Sequence, residues 1–186
     1  MDENFIVRKQ GKGSFVSQAK HEEDLNRFVN YNLIPTFSGG KADHKILQFK
    51  LIHPSEEILN KLELSEGSKV FEIIRLRLYR GETGALDYTY IPEHIDHNIK
   101  DKMKLFKSRY IYEIFDTIPN ILLGKSRIYL KPIIANEIQA KVLKIAIGTP
   151  ILLWERITFS KEQKAIELSK FYACEDKCSY YIEFRK

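Results

Sequence analysis

The chain has 186 residues, 44% of them hydrophobic and 30% charged, which suits one domain with a real core and excludes intrinsic disorder. No apolar run approaches the ~20 residues that a bilayer-spanning helix needs, and charges throughout the first twenty residues exclude a signal peptide there. A formal charge of +5 permits a polyanionic partner without requiring one, and the cytoplasm is the expected compartment.

The first predicted element is a hairpin. In "RKQGKGSFVSQ", Arg8 to Gln18, two glycines sit one residue apart before the apolar pair Phe15-Val16. Glycine takes positive φ without steric cost, so Gly11 and Gly13 read as a hairpin tip that holds Lys12 out on a narrow loop. "FSGG", Phe37 to Gly40, reads as a loop whose backbone amides can wrap an anion, a weak signal without a helix start behind it. "HKILQFKLI" follows as a strand.

Next comes the most informative feature, an internal repeat. "SEEILNKLELSEGSKVFEIIRLRLYRGETGALDYTYIP", Ser55 to Pro92, lays over "NEIQAKVLKIAIGTPILLWERITFSKEQKAIELSKFY", Asn136 to Tyr172. Each copy opens on a helix N-cap, Ser55 or Asn136. A short amphipathic helix follows, with Ile58, Leu59 and Leu62 on the apolar face of one and Ile138, Val142 and Leu143 on that of the other. Leu64 and Ile145 each precede a glycine by three residues, Gly67 and Gly148. A strand carries a matched arginine, Arg75 or Arg156, and after a polar turn a second strand begins on an acid, Asp87 or Glu167. Between the copies, "KDKMKLFKSR" reads as a short cationic helix burying Met103, Leu105 and Phe106, "YIYEIFD" as a helix and "KSRIYLKPII" as a strand. "YYIEFRK" supplies a last strand. The predicted class is α+β: an antiparallel sheet with helices packed on one face, internally duplicated within a single domain.

Alternation in the first repeat strand sets Val70, Glu72, Ile74, Leu76 and Leu78 under the helices and Phe71, Ile73, Arg75, Arg77 and Tyr79 on the other surface. Arg75 and Arg77 are then about 7 Å apart. On a solvated face both would pair with cross-strand acids such as Asp87; as a functional feature they form an anion cradle, because guanidinium forks match carboxylate or phosphate geometry. The second copy keeps Arg156 but has Thr158 where Arg77 would stand.

Catalytic signatures are thin: there is no G-x-S-x-G, P-loop, dinucleotide-binding glycine pattern or H-E-x-x-H. The five histidines fall in loops or near element ends, and "PEHIDH" reads as a polar turn around His94, Asp96 and His97. Cys174 and Cys178, without further ligands at metal spacing, read as a reduced pair; neither a metal nor a cofactor is expected.

These residues carry a likeness to a known family. "FIVRKQGKGSFV" resembles the wing that closes the winged helix-turn-helix of GntR-family bacterial transcription regulators. The segments "EIIRLRLYRG", "ALDYTYIP", "YIYEIFD", "IANEIQAKVLKIAIGTPILLWERITFS" and "AIELSKFYACEDK" resemble the UTRA effector-binding domain of the HutC-type subgroup, similar in fold to chorismate lyase. The resemblance implies a wing remnant over residues 1–18 and an effector-binding and dimerisation domain over 19–186. It implies DNA contact through Arg8, Lys9, Gln10, Gly11, Lys12 and Gly13 in the wing. It implies a small, anionic effector held by Arg75, Arg77 and Glu167, with Asp87 beside them. Three positions depart from the family pattern: Arg27-Phe28 stands for a Ser-Phe pair, Tyr110 for a serine, and Ala173-Cys174 for a Tyr-Arg pair, with Tyr172 one residue earlier. An added arginine and phenol change pocket size and charge, so a phosphosugar is not carried over; another anion, or a pocket without an effector, stays open. The implied partners are the effector, a second copy of the chain, and operator DNA only where the two helices that precede a wing are present; no membrane partner is implied. The alternatives are a stand-alone module pairing with full-length regulators and a chorismate-lyase-like enzyme.

Overall fold

The computed structural model describes residues 6–9, 13–16, 21–24, 44–79, 82–102, 104–107, 111–174 and 178–181. In chain order the elements are β1 (Ile6–Lys9), β2 (Gly13–Val16), β3 (His21–Asp24), β4 (His44–Ile52), α1 (Glu56–Lys61), β5 (Val70–Tyr79) and β6 (Glu82–Pro92). Three 3-10 turns, Glu93–Ile95, Ile99–Lys102 and Leu105–Lys107, lead to α2 (Ile111–Phe115), β7 (Leu123–Ile134), α3 (Glu137–Leu143), β8 (Pro150–Ser160), β9 (Ala165–Cys174) and β10 (Cys178–Tyr181).

Strands β4 to β9 form one antiparallel sheet in the order β4-β5-β6-β9-β8-β7. The order expresses the repeat. Each half contributes an outer strand, a helix and a hairpin, and β6 pairs with β9 at the centre through Thr89–Ser169 and its neighbours. β1 and β2 form the expected antiparallel hairpin, Lys9 opposite Gly13, with its tip outside the described residues. β3 pairs in parallel with β10, Cys178 opposite His21 and Tyr181 opposite Asp24.

The α+β reading holds, with the two repeat helices on one face. Ile58 and Leu62 of α1 pack on Val70, Tyr90, Ile157 and Leu168, and Leu143 of α3 packs on Leu86 and Ile151. Gly67 and Gly148 both take positive φ, 83° and 85°, so the matched glycines make the same left-handed bend in both copies. Ion pairs also hold α1 down. Glu155, buried on β8, accepts from Lys61 and, at 3.1 Å, from Lys131; Glu57 accepts from Lys61 at 2.7 Å and Lys170 at 2.8 Å. Burial works to raise the Glu155 pKa, but the two lysines hold it below the ordinary range.

Four details differ from the sequence reading. The second strand of each hairpin starts before its acid, at Glu82 and Ala165, so Asp87 and Glu167 sit inside the sheet. Ile138 is 62% exposed, because the stripe of α3 that meets the sheet is Gln139, Ala140 and Leu143. The "KDKMKLFKSR" stretch forms 3-10 turns, closed by bonds such as Asp101 N to Asn98 O at 2.9 Å, with Phe106 fully buried; Met103 lies outside the described residues. Finally, the surface opposite the repeat helices is covered at one end. Phe71, Ile73 and Ile91 pack there with Ile99, Phe106, Ile114 and Phe115, each fully buried side chain contributing about 1.5–3 kcal/mol.

The two N-caps differ in a way that stability measurements detect. Asn136 makes a full capping box, accepting from Gln139 N at 3.0 Å while Gln139 Oε1 accepts from Asn136 N at 2.9 Å; the Ser55 hydroxyl makes no cap bond. Asn136→Ala is expected to cost about 1 kcal/mol in chemical denaturation and Ser55→Ala at most a few tenths.

Candidate anion-binding site

Alternation along the sheet lines up side chains in rows on the face opposite the repeat helices. One row runs His44, Arg77, Ala85, Ala173 across β4, β5, β6 and β9, and the next runs Ile46, Arg75, Asp87, Phe171 and on to Trp154 of β8. Two alanines next to two arginines leave the sheet floor low beside them. Arg75 is 3% and Asp87 5% exposed. The Arg75 Nη2 donates to Asp87 Oδ2, and the Thr89 hydroxyl reaches Asp87 Oδ1 at 3.3 Å. The cross-strand pairing foreseen for a solvated face is therefore real, but the pair is buried. The Nε and Nη1 of Arg75 have no hydrogen-bond partner among the described residues, and its Cζ lies 5.8 Å from the Phe106 ring centroid.

Arg77 lies over an aromatic wall. Its Cζ is 4.7 Å from the Phe171 centroid, a cation–π distance, and Phe171 meets Trp154 edge-on at 6.3 Å. The Arg77 guanidinium thus stands on the same face as the Arg75–Asp87 pair. His44 completes the corner, 4% exposed. Burial first, then the Arg75 and Arg77 charges, lower its pKa to about 2, so the imidazole is neutral.

The second copy builds the matching arginine differently. Arg156 grips Glu167 with two bonds, Nη2 to Oε1 at 2.8 Å and Nε to Oε2 at 3.3 Å. The Thr158 hydroxyl donates to Oε2 at 2.6 Å and meets the Ser126 hydroxyl at 3.3 Å. Where Arg75 stands directly opposite Asp87, Arg156 stands opposite Ser169 and reaches Glu167 diagonally. Thr158, in place of a second arginine, donates to the same carboxylate, and Glu167 is 0% exposed.

Of the residues singled out in the sequence, the structure brings together Arg75, Arg77 and Asp87. Glu167 lies four residues along β9 from Phe171, about 13 Å away along the strand, in its own pair with Arg156. Tyr172 stands apart from the arginines. Its neighbour Phe171 faces the arginines, so alternation turns Tyr172 to the opposite face, where it packs with Leu86 and Tyr88 under α3, and burial raises its pKa. Arg27, Phe28 and Tyr110 lie outside the described residues, as do Gln10, Gly11 and Lys12; Arg8 and Lys9 are in β1 and Gly13 in β2. Sequence reasoning missed His44, Phe171 and Trp154. Alternation counted back from Phe171 through Ser169 to Glu167 was the available signal for Phe171, but a register shift at Leu47 hid His44. A separate cleft of about 220 Å³, lined by residues including His94, Leu122, Lys161 and Lys164, lies at the other end of β9, away from the arginines. Among the described residues no group of three His, Cys, Asp or Glu could hold a metal ion.

The sequence profile of the UTRA domain matches residues 38–179, most of the chain. The chain belongs to the UTRA domain family. This UTRA domain is 26% identical over 170 residues to the HTH-type transcriptional repressor NagR of Bacillus subtilis, covering 91% of the chain and 69% of NagR. Its fold is similar to that of PhnF from Mycobacterium smegmatis, with a TM-score of 0.82 at 16% identity over 98% of this chain and 79% of that one. The separately solved effector domain of PhnF aligns with a TM-score of 0.75 at 15% identity, over 85% of this chain and 96% of that domain. The UTRA domain matches the effector-binding module of GntR/HutC-type regulators, and its relatives NagR and GmuR of Bacillus subtilis are named as a transcriptional repressor and a transcriptional regulator.

The buried pair gives a direct test. Asp87→Asn leaves the Arg75 charge buried without its counter-ion and is expected to destabilise the domain by about 3–5 kcal/mol in urea unfolding. The double variant Arg75→Met/Asp87→Leu is expected to recover most of that loss, since it removes both charges.

Proposed function

We propose that this UTRA domain senses a small anionic metabolite bound at Arg75 and Arg77, and that binding biases the arrangement of a homodimer and so its hold on operator DNA. The observation that carries the reading is the buried Arg75 guanidinium, two of whose donors are unused among the described residues, with the Arg77 guanidinium on the same face beside it. A buried guanidinium with unmet donors is costly unless an acceptor completes it. NagR is a transcriptional repressor by name, which supports a regulatory role here. The polar side chains Thr89 and Ser169 lead across the central strand pair toward Arg156 and Glu167, where the polar end of a longer ligand would arrive. Arg27, Phe28 and Tyr110 enter this proposal as further pocket residues, and 1–18 as the wing of a DNA-binding head whose Arg8, Lys9 and Lys12 meet phosphates. Coupling then follows from linkage: a ligand that prefers one dimer arrangement changes DNA affinity by the same factor by which DNA changes its own.

Calorimetric titration against a panel of small phosphorylated and carboxylated metabolites tests the site. At least one anion is expected to bind, and Arg77→Met, which spares the Arg75–Asp87 pair, is expected to weaken it by about ten- to a hundredfold, the range of a lost charged hydrogen bond. If wild type and Arg77→Met bind every hit alike, the site assignment fails.

A further inference from the structure

We propose that His44 is the third arm of this cradle and that an oxyanion seated against Arg75 and Arg77 binds together with a proton taken up by the His44 imidazole. The inference rests on the anion-site reading above and deepens it.

The geometry comes first. His44 is the first residue of β4 and stands directly opposite Arg77. Ile46, two residues on, stands opposite Arg75, so the imidazole shares its face with both guanidinium groups. It reaches that face only because β4 shifts register between Ile46 and Gln48. Phe49 and Leu51, beyond the shift, and Ile46 before it all pack on the same core. Unbroken alternation from Leu51 and Phe49 would have put Lys45 there and His44 on the other side. The displaced residue, Leu47, is pushed 44% into solvent. An exposed leucine in a strand is the cost of aiming a histidine at two arginines.

The electrostatics follow from that placement. Among the described residues, the charged groups facing His44 are Arg75 and Arg77 on β5, with Asp87 of β6 on the far side of Arg75 and already bonded to it. Burial and two cations keep the ring neutral in the free domain. A dianion between the two guanidinium groups cancels the repulsion and adds an attraction at hydrogen-bond range, so the same ring becomes basic. A neutral imidazole offers one donor and one acceptor; the imidazolium offers two donors. The site therefore gains a third cationic donor only when an anion is there to be held.

The sign of the linkage is fixed. The His44 pKa rises on binding, so the extra affinity is present below the bound-state pKa and is lost as pH rises through it. An unliganded His44 pKa of about 2 means that the free domain does not titrate at this group in the range where histidines usually switch.

Sulfate is a suitable probe, because it keeps both charges throughout that range and so contributes no titration of its own. Sulfate binding to the full chain is measured calorimetrically from about pH 8 to about pH 5, the histidine range, in buffers of different ionisation enthalpy. Affinity is expected to rise by about tenfold or more on going to the lower pH, at most about tenfold per unit, with net proton uptake. His44→Gln, which keeps a polar group of similar reach, is expected to bind sulfate with a flat pH profile and no proton uptake; a thermal melt checks that it folds. Arg77→Met is expected to weaken binding at every pH. Equal pH slopes for wild type and His44→Gln would overturn the role of His44 while leaving the arginine site standing. A flat wild-type profile would do the same. Absence of sulfate binding, or binding indifferent to Arg77→Met, would instead overturn the arginine site itself.

Discussion

An arginine taken out of water must be met by a counter-charge, and that constraint organises the face of the sheet opposite the two repeat helices. Arg75 and Arg156 are each met by a carboxylate that the β5–β6 and β8–β9 hairpins supply. At Arg75 the cover and the pair are mutually dependent. Without Phe106 and the turns that carry it, Arg75 would be solvated and its pairing worth little; without Asp87, the cover would enclose bare charge.

The duplication makes two such pairs, and they differ in how the acid is met. In the second half a bidentate arginine and a threonine hydroxyl meet Glu167, and a serine meets the threonine in turn. In the first half the threonine's place is taken by Arg77, a histidine stands beside it, and the neighbouring floor positions are alanines. One strand substitution and one register shift thus set a second arginine and a histidine beside the first pair. The opposite face follows the same economy in reverse. Its lysine–glutamate network around Glu57 and Glu155 clamps α1 to β8 and β9 while the apolar sides of α1 and α3 cover the aliphatic rows.

Much of this was legible in the residues. Periodicity and the repeated cap–helix–glycine–strand pattern determined the α+β class, the two helix–hairpin units and the placement of Arg75 and Arg77 on one face, because these depend on local spacing alone. The likeness of "EIIRLRLYRG" and its companion segments to UTRA domains determined the family. Tertiary structure alone decided that the two copies share one sheet through β6 and β9, that Arg75 is buried, and that His44 joins the arginines. The physical reason is common to all three. Each depends on which residues meet across segments distant in sequence, and for His44 a single extra residue in a strand, Leu47, inverts the answer without leaving a mark in the local pattern.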